Sequence, residues 1–113
     1  MLESWTGVEL FLEEFYFKLK WAQPADQITP LIRVPIEGQD HTVCWAWERP
    51  DGGRSFGFSG LHFHENWKLE SYQRMLAQSV YWVLKREIPE AGVQVDLEKD
   101  DFIPPPQPDY KKK

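Results

Sequence analysis

A single cysteine, Cys44, is all the chain carries. A disulfide within the chain and any multi-cysteine zinc module are thereby excluded. Apolar runs are short as well, and none approaches the roughly 20 residues of a membrane helix. The opening Met1-Leu2-Glu3-Ser4-Trp5 lacks a basic region followed by an apolar stretch, so it does not read as a signal peptide. The expected compartment is the cytoplasm, if Met1 is the true start. Positive charge is sparse and scattered outside Lys111-Lys112-Lys113, and the formal net charge is −5. No phosphate-binding footprint is present, so neither nucleic acid nor a membrane is expected as a partner. Internal repeats are absent, and no motif asks for a cofactor.

Ring surface, by contrast, is abundant, with six Trp, seven Phe and four Tyr among 113 residues. Aromatic surface on that scale needs a core, a partner or a ligand cleft. The length suits one domain. Residues 1–13 are ambiguous, since Val8, Leu10, Phe11 and Leu12 fit a short helix or an irregular lead-in. From Glu14 the pattern alternates, Phe15, Phe17 and Leu19 against Tyr16, Lys18 and Lys20, which is the period of a half-buried strand. Pro24 and Asp26 mark a loop. Residues 28–34 are strand-like but contain Pro30 and run into Pro35, and a proline has no N–H for a ladder, so an edge or irregular strand is expected. Residues 37–40 read as a turn.

The clearest signal is a hairpin. Val43, Trp45 and Trp47 alternate with Cys44 and Ala46, Pro50-Asp51-Gly52-Gly53 supplies turn residues, and Ser55-Phe56-Gly57-Phe58-Ser59 alternates again. The expected pairing is 43–48 against 54–58. Gly57 and Ser59 make a small face that admits a helix or another backbone. After Phe63 the period changes: Leu69, Tyr72, Leu76, Val80 and Val83 form a helical stripe, Asn66 is a candidate N-cap, and Ile88-Pro89 is the stop signal. One helix is expected over residues 66–85, with a Glu70–Arg74 pair one turn apart. Residues 93–97 suggest a short strand. Pro104-Pro105-Pro106 cannot join a sheet or helix interior, so residues 98–113 read as an extended tail and 1–97 as the folded part. One helix on a mixed sheet leaves the other face uncovered, so the chain is expected to be marginal alone, or to self-associate.

Chemistry concentrates in Gly60-Leu61-His62-Phe63-His64-Glu65-Asn66-Trp67, between a strand end and a helix start. Ligands gather there in open α/β sheets, and helix N-termini favour anions. One reading makes His64 an acid or base, with Glu65 as its partner and His62, Asn66 and Trp67 binding hydroxyl groups of a sugar. The alternative is that Asn66 caps the helix while the histidines bond to backbone. A metal reading would use the His62/His64 pair with Glu70, but it lacks a third histidine other than His41 and the further strand that a β-roll requires, so no metal is expected. Cys44 lies mid-strand and reads as a small buried residue. Gly57-Phe58-Ser59-Gly60-Leu61 resembles a nucleophile elbow but lacks the final glycine. Trp45 and Trp47 fit core packing or stacking on a sugar ring.

The run from Val43 to Trp82 resembles the end of a trehalose-utilisation (ThuA-like) domain. Gly53, Arg54 and Phe56 match its "G-x-x-F" strand. His62, His64 and Trp67 match its Gly-His-x-x-x-x-Phe/Trp segment. Arg74, Met75, Leu76 and Trp82 match its "R-x-L-L-x-x-x-I-x-W" helix. Upstream, Glu14-Phe15-Tyr16 is similar to a "D-E-x-Y" strand, and the resemblance spans residues 13–97. It implies an α/β fold, the C-terminal part of a flavodoxin-like or class I glutamine amidotransferase-like three-layer architecture. In that wider fold a His-Pro-Glu segment occupies the place of Phe63-His64-Glu65-Asn66, with Asn66 where the glutamate would stand. The nucleophile elbow belongs to the first half, so glutaminase activity is not implied. What is implied is a carbohydrate context, trehalose-type disaccharides, with the reaction undefined. Such domains are about twice this long, which points to a missing N-terminal half or to a homo-oligomer.

Overall fold

Alternation and turn chemistry produce three strands: β1 (Ile28–Ile36), β2 (Gln39–Glu48) and β3 (Arg54–Phe58). The computed structural model describes residues 12–21 and 27–106. The strands form one antiparallel sheet in the order β1-β2-β3, so among the described residues the sheet is antiparallel and not mixed as expected. The hairpin pairs Cys44 with Phe58, Ala46 with Phe56 and Glu48 with Arg54, matching the register expected for 43–48 against 54–58. Its turn is closed by Arg49 N–H to Gly53 O, 2.8 Å. The Asp51 carboxylate accepts from Gly53 N–H at 2.8 Å, a bond that holds Asp51 below the usual carboxylate range.

β1 is an edge strand, as its prolines require. Pro30 pairs with Trp45, but the register slips between Pro30 and Arg33, leaving Leu31 out of the ladder. The turn into β2 is shorter than the expected 37–40. Glu37 and Gly38 both have positive φ, 52° and 79°, which is the two-residue turn whose twist matches a hairpin. Gln39 and Asp40 already belong to β2, opposite Ile36 and Pro35.

The expected single helix over 66–85 divides into two. A 3-10 turn covers His64–Lys68, and the α-helix α1 covers Glu70–Val83. Leu69 between them is extended, at φ −71° and ψ 118°, and its side chain joins the core. α1 ends before Ile88-Pro89 is reached. Lys85 takes a left-handed φ of 56°, Arg86 N–H donates to Tyr81 O at 2.8 Å, and Lys85 N–H donates to Trp82 O at 3.0 Å. This pair of reversed bonds is the Schellman termination, formed here without glycine. The buried positions of α1 are Tyr72, Met75, Gln78 and Ser79, while Val80 of the expected stripe is exposed. The inward face is rotated because Gln78 serves a neighbour: its Oε1 accepts from Val93 N–H at 3.1 Å. Residues 93–97 therefore lie against α1 as irregular chain, and the strand expected there is not formed. The expected Glu70–Arg74 pair is present at 2.7 Å. A further 3-10 turn, Lys99–Phe102, opens with a reciprocal Glu98/Asp101 capping box.

The core lies between α1 and one sheet face. Cys44, Tyr72 and Met75 are at most 1% exposed, packed by Phe56, Phe58, Leu61, Leu69 and Leu76. The opposite face is not bare. Residues 12–21 form an extended strap whose burial alternates, with Phe15, Phe17, Leu19 and Trp21 inward and Tyr16, Lys18 and Lys20 outward. It starts beside the α1-side core, where Phe15 meets Phe58 edge-on, and its later residues reach the opposite face, where Phe17 meets His41 and Trp21 meets Trp45. The alternation matches the sequence pattern, but the strap forms no ladder. Lys18 at φ 56° interrupts the extended backbone, and Tyr16 N–H to Ser59 O, 3.3 Å, is the backbone bond that ties it to the chain beyond β3. The readings for residues 1–11, for Pro24 and Asp26, and for the tail beyond 106 lie outside the described residues. No helix among those described is long and apolar enough to cross a membrane.

Candidate functional site

The residues from Gly60 to Lys68 leave β3, turn, and enter the 3-10 helix ahead of α1. Leu61 sits at φ 66°, a left-handed conformation that costs a branched residue about 1 kcal/mol or more. The consequence is that two consecutive N–H groups point the same way. Leu61 N–H donates at 2.9 Å and His62 N–H at 3.1 Å to the carboxylate of Glu13, and the Tyr72 hydroxyl donates to the same group at 3.0 Å. Such paired N–H groups form an anion-binding concavity, and here a side chain of the strap fills it. Partial burial pushes the Glu13 carboxyl up, but the bonds from Leu61, Glu14, Asn66 and Tyr72 together outweigh that and hold it below the usual range.

The expected site residues are brought into one loop but do not converge. His62 Nε2 lies 3.6 Å from Glu14 Oε2. His64 Nε2 lies 2.6 Å from Phe102 O, joining the loop to the second 3-10 turn. Glu65 accepts from Lys68 Nζ at 2.9 Å. Asn66 is buried and donates through Nδ2 to Leu12 O at 2.8 Å. It does not cap α1 as expected; the residue before α1 is Leu69, which offers no side-chain cap. Trp67 is 39% exposed, and its carbonyl accepts from Gln73 Nε2 at 2.8 Å. His62 and His64 thus point to separate partners, and no group of three His, Cys, Asp or Glu side chains among the described residues is arranged to hold a metal ion.

Two other candidates behave as packing residues. Cys44 is fully buried, and desolvation pushes its thiol up to about 12, which leaves it un-ionised at neutral pH. Ser59 donates its hydroxyl to Tyr16 O at 2.8 Å, and its N–H donates to Val43 O, so it continues the hairpin and fastens the strap. Glu13 is the residue that sequence reasoning passed over. A glutamate at the head of an alternating segment gives no sign that it will meet backbone 48 residues later. The one available hint was Tyr72, an apolar-stripe residue with a hydroxyl that must find a partner when buried.

Comparisons of the chain with protein families, with curated proteins and with solved structures find no match.

Proposed function

We propose that the chain is the later part of a ThuA-like domain and acts as a saccharide-binding module without chemistry of its own. The observation that carries the second half of this reading is the divergence of the loop side chains. A general acid and a general base must both reach one reacting centre, whereas His64 is directed to Phe102 O and Glu65 to Lys68. The family assignment rests on the matches at Gly53, Arg54 and Phe56, at His62, His64 and Trp67, and at Arg74, Met75, Leu76 and Trp82. The described α/β arrangement of an antiparallel hairpin sheet with one helix is compatible with it. A separate N-terminal half-domain or a second copy of the chain is the proposed partner.

The test is to incubate the chain with trehalose and maltose, following binding by calorimetry and glucose release by a coupled assay. Saturable binding with no glucose release is the expected result. Glucose release that disappears in His64→Ala, with the melting temperature unchanged, would instead establish the acid–base reading of His64 and Glu65.

A further inference from the structure

We propose that the sheet face opposite α1 carries the saccharide site, a cleft in which Trp45 and Trp47 stack on pyranose rings while Ser55 and Lys20 bond sugar hydroxyl groups. This rests on the saccharide-binding reading above and adds a place for the sugar, away from the 60–68 loop.

The cleft has a volume of about 260 Å³ and is lined by Leu19, Lys20, Trp21, Trp45, Trp47 and Ser55, with Ile28 at its edge. Trp45 and Trp47 are two apart on β2, so both indoles lie on one face, roughly 7 Å from each other along the strand. Directly across in β3 stand Gly57 and Ser55, a residue with no side chain and one with a small hydroxyl. The small residues let the indoles lie low on β3 and leave room beside Trp47. Trp45 lies down over Gly57 so closely that a methyl group added there would overlap its ring. Trp21 meets Trp45 edge-on, with centroids 4.9 Å apart and planes at 81°, which fixes the ring in place.

Among the described residues, the strap covers one end of this face more closely than the other. Phe17 packs edge-on against His41 at 5.1 Å, and Val43 next along the strand is fully buried. Trp45 and Trp47, further along the same face, are half-buried. Among the described residues no side chain pairs with the Ser55 hydroxyl or the Lys20 ammonium. Flat apolar faces beside these polar groups match the chemistry of a pyranose, which offers C–H faces above and below and hydroxyl groups around its rim. A second cleft of about 250 Å³ shares Trp21 and Ile28 as a wall and adds Arg33 and Thr42. Each cleft falls just below the ~300 Å³ at which ligand pockets usually begin, a size for one ring; two adjoining clefts suit a disaccharide.

The experiment titrates trehalose and maltose into the full chain, reading tryptophan fluorescence and calorimetry, with sorbitol at equal concentration as the polyol control. The expected result is a saturable signal with the sugars and none with sorbitol. Affinity should fall at least tenfold in Trp47→Ala and a few-fold in Ser55→Ala and Lys20→Met. The last two are half-exposed or exposed positions whose substitution leaves circular dichroism and melting unchanged, so they decide the matter if Trp47→Ala unfolds. Binding that survives in all three variants overturns the cleft while leaving the saccharide reading intact, and its loss in Trp67→Ala would then return the site to the loop. Absence of saturable binding by the unaltered chain overturns both.

Discussion

The two faces of one sheet are held in different ways. On the α1 side, alternate residues of β2 and β3, Cys44, Ala46, Phe56 and Phe58, meet a regular helix, and the contact is sealed: Tyr72 and Met75 are 1% exposed. On the other side, Val43, Trp45 and Trp47 meet an irregular strap, and only Val43 is sealed. The first face is held by dispersed apolar contact and the second by edge-on rings, Phe17 on His41 and Trp21 on Trp45, while the directed bonds at Glu13, Asn66 and Ser59 fasten the start of the strap to the loop beyond β3. A helix can match a sheet over many residues at once. A strap without a ladder attaches at points, and between those points it leaves a cleft. Stability should therefore reside on the first face, and adaptability on the second.

The largest expected effect tests the sealed face. Met75→Ala removes a fully buried side chain between the helix and Cys44 and should cost about 2–5 kcal/mol in chemical denaturation. Trp21→Ala on the strap should cost clearly less, and an equal cost would erase the distinction between the faces. Cys44 offers an independent check. With its thiol pushed up to about 12, alkylation at pH 8 should be slower than for a free cysteine by roughly a thousandfold in thiolate population. Labelling should follow global unfolding, and fast labelling under native conditions would mean that the sealed face opens.

Glu13→Gln probes the strap's attachment. It removes the shared anionic acceptor of Leu61 N–H, His62 N–H and the Tyr72 hydroxyl, and should cost about 1–3 kcal/mol. Faster hydrogen exchange should appear at Leu61 and His62 while the centre of α1 stays protected. The same attachment should depend on pH. The folded-state value of Glu13 is lowered, so its contribution is fully present above the ordinary glutamate value of about 4.3 and is lost as pH falls through the lower folded value. The acid-induced rise in exchange at Leu61 and His62 should be present in the unaltered chain and absent in Glu13→Gln. The other titratable groups near this junction are His62, Glu14 and Tyr72, and Glu14→Gln with its His62 contact at 3.6 Å serves as the comparison. The smallest effect should come from Glu37→Asn. Asparagine suits the positive φ of 52° ahead of Gly38 better than glutamate does. It should raise stability by about 0.5 kcal/mol, offset slightly by the exposed Lys18–Glu37 pair at 3.8 Å, which contributes little. Neither face is touched, so a larger change would signal coupling through β1.

The hairpin was legible because its information is local: alternation in 43–47 and 55–58, and turn residues between them, act within one another's reach. Pro30 and Pro35 marked the edge strand for the same reason, and Cys44 was readable as a core residue from its mid-strand position. The site was not legible in this way. Asn66 has the chemistry of a cap, yet a carbonyl 54 residues earlier takes its amide. His64 has the chemistry of an acid or base, yet a carbonyl 38 residues later lies against it. Nothing near Gln78 in the sequence signals that its amide oxygen will accept from Val93 N–H.

By itself, then, the sequence determined which segments extend, which one coils and which strand stands at the edge, because backbone preference and apolar period are set by near neighbours. Tertiary structure decided the division of the helix at Leu69, the meeting of Glu13 with the Leu61–His62 turn, and the half-buried setting of Trp45 and Trp47. Each of those depends on where a distant piece of chain comes to rest, and a polar group satisfied by a remote carbonyl looks, in sequence, the same as one left free for chemistry.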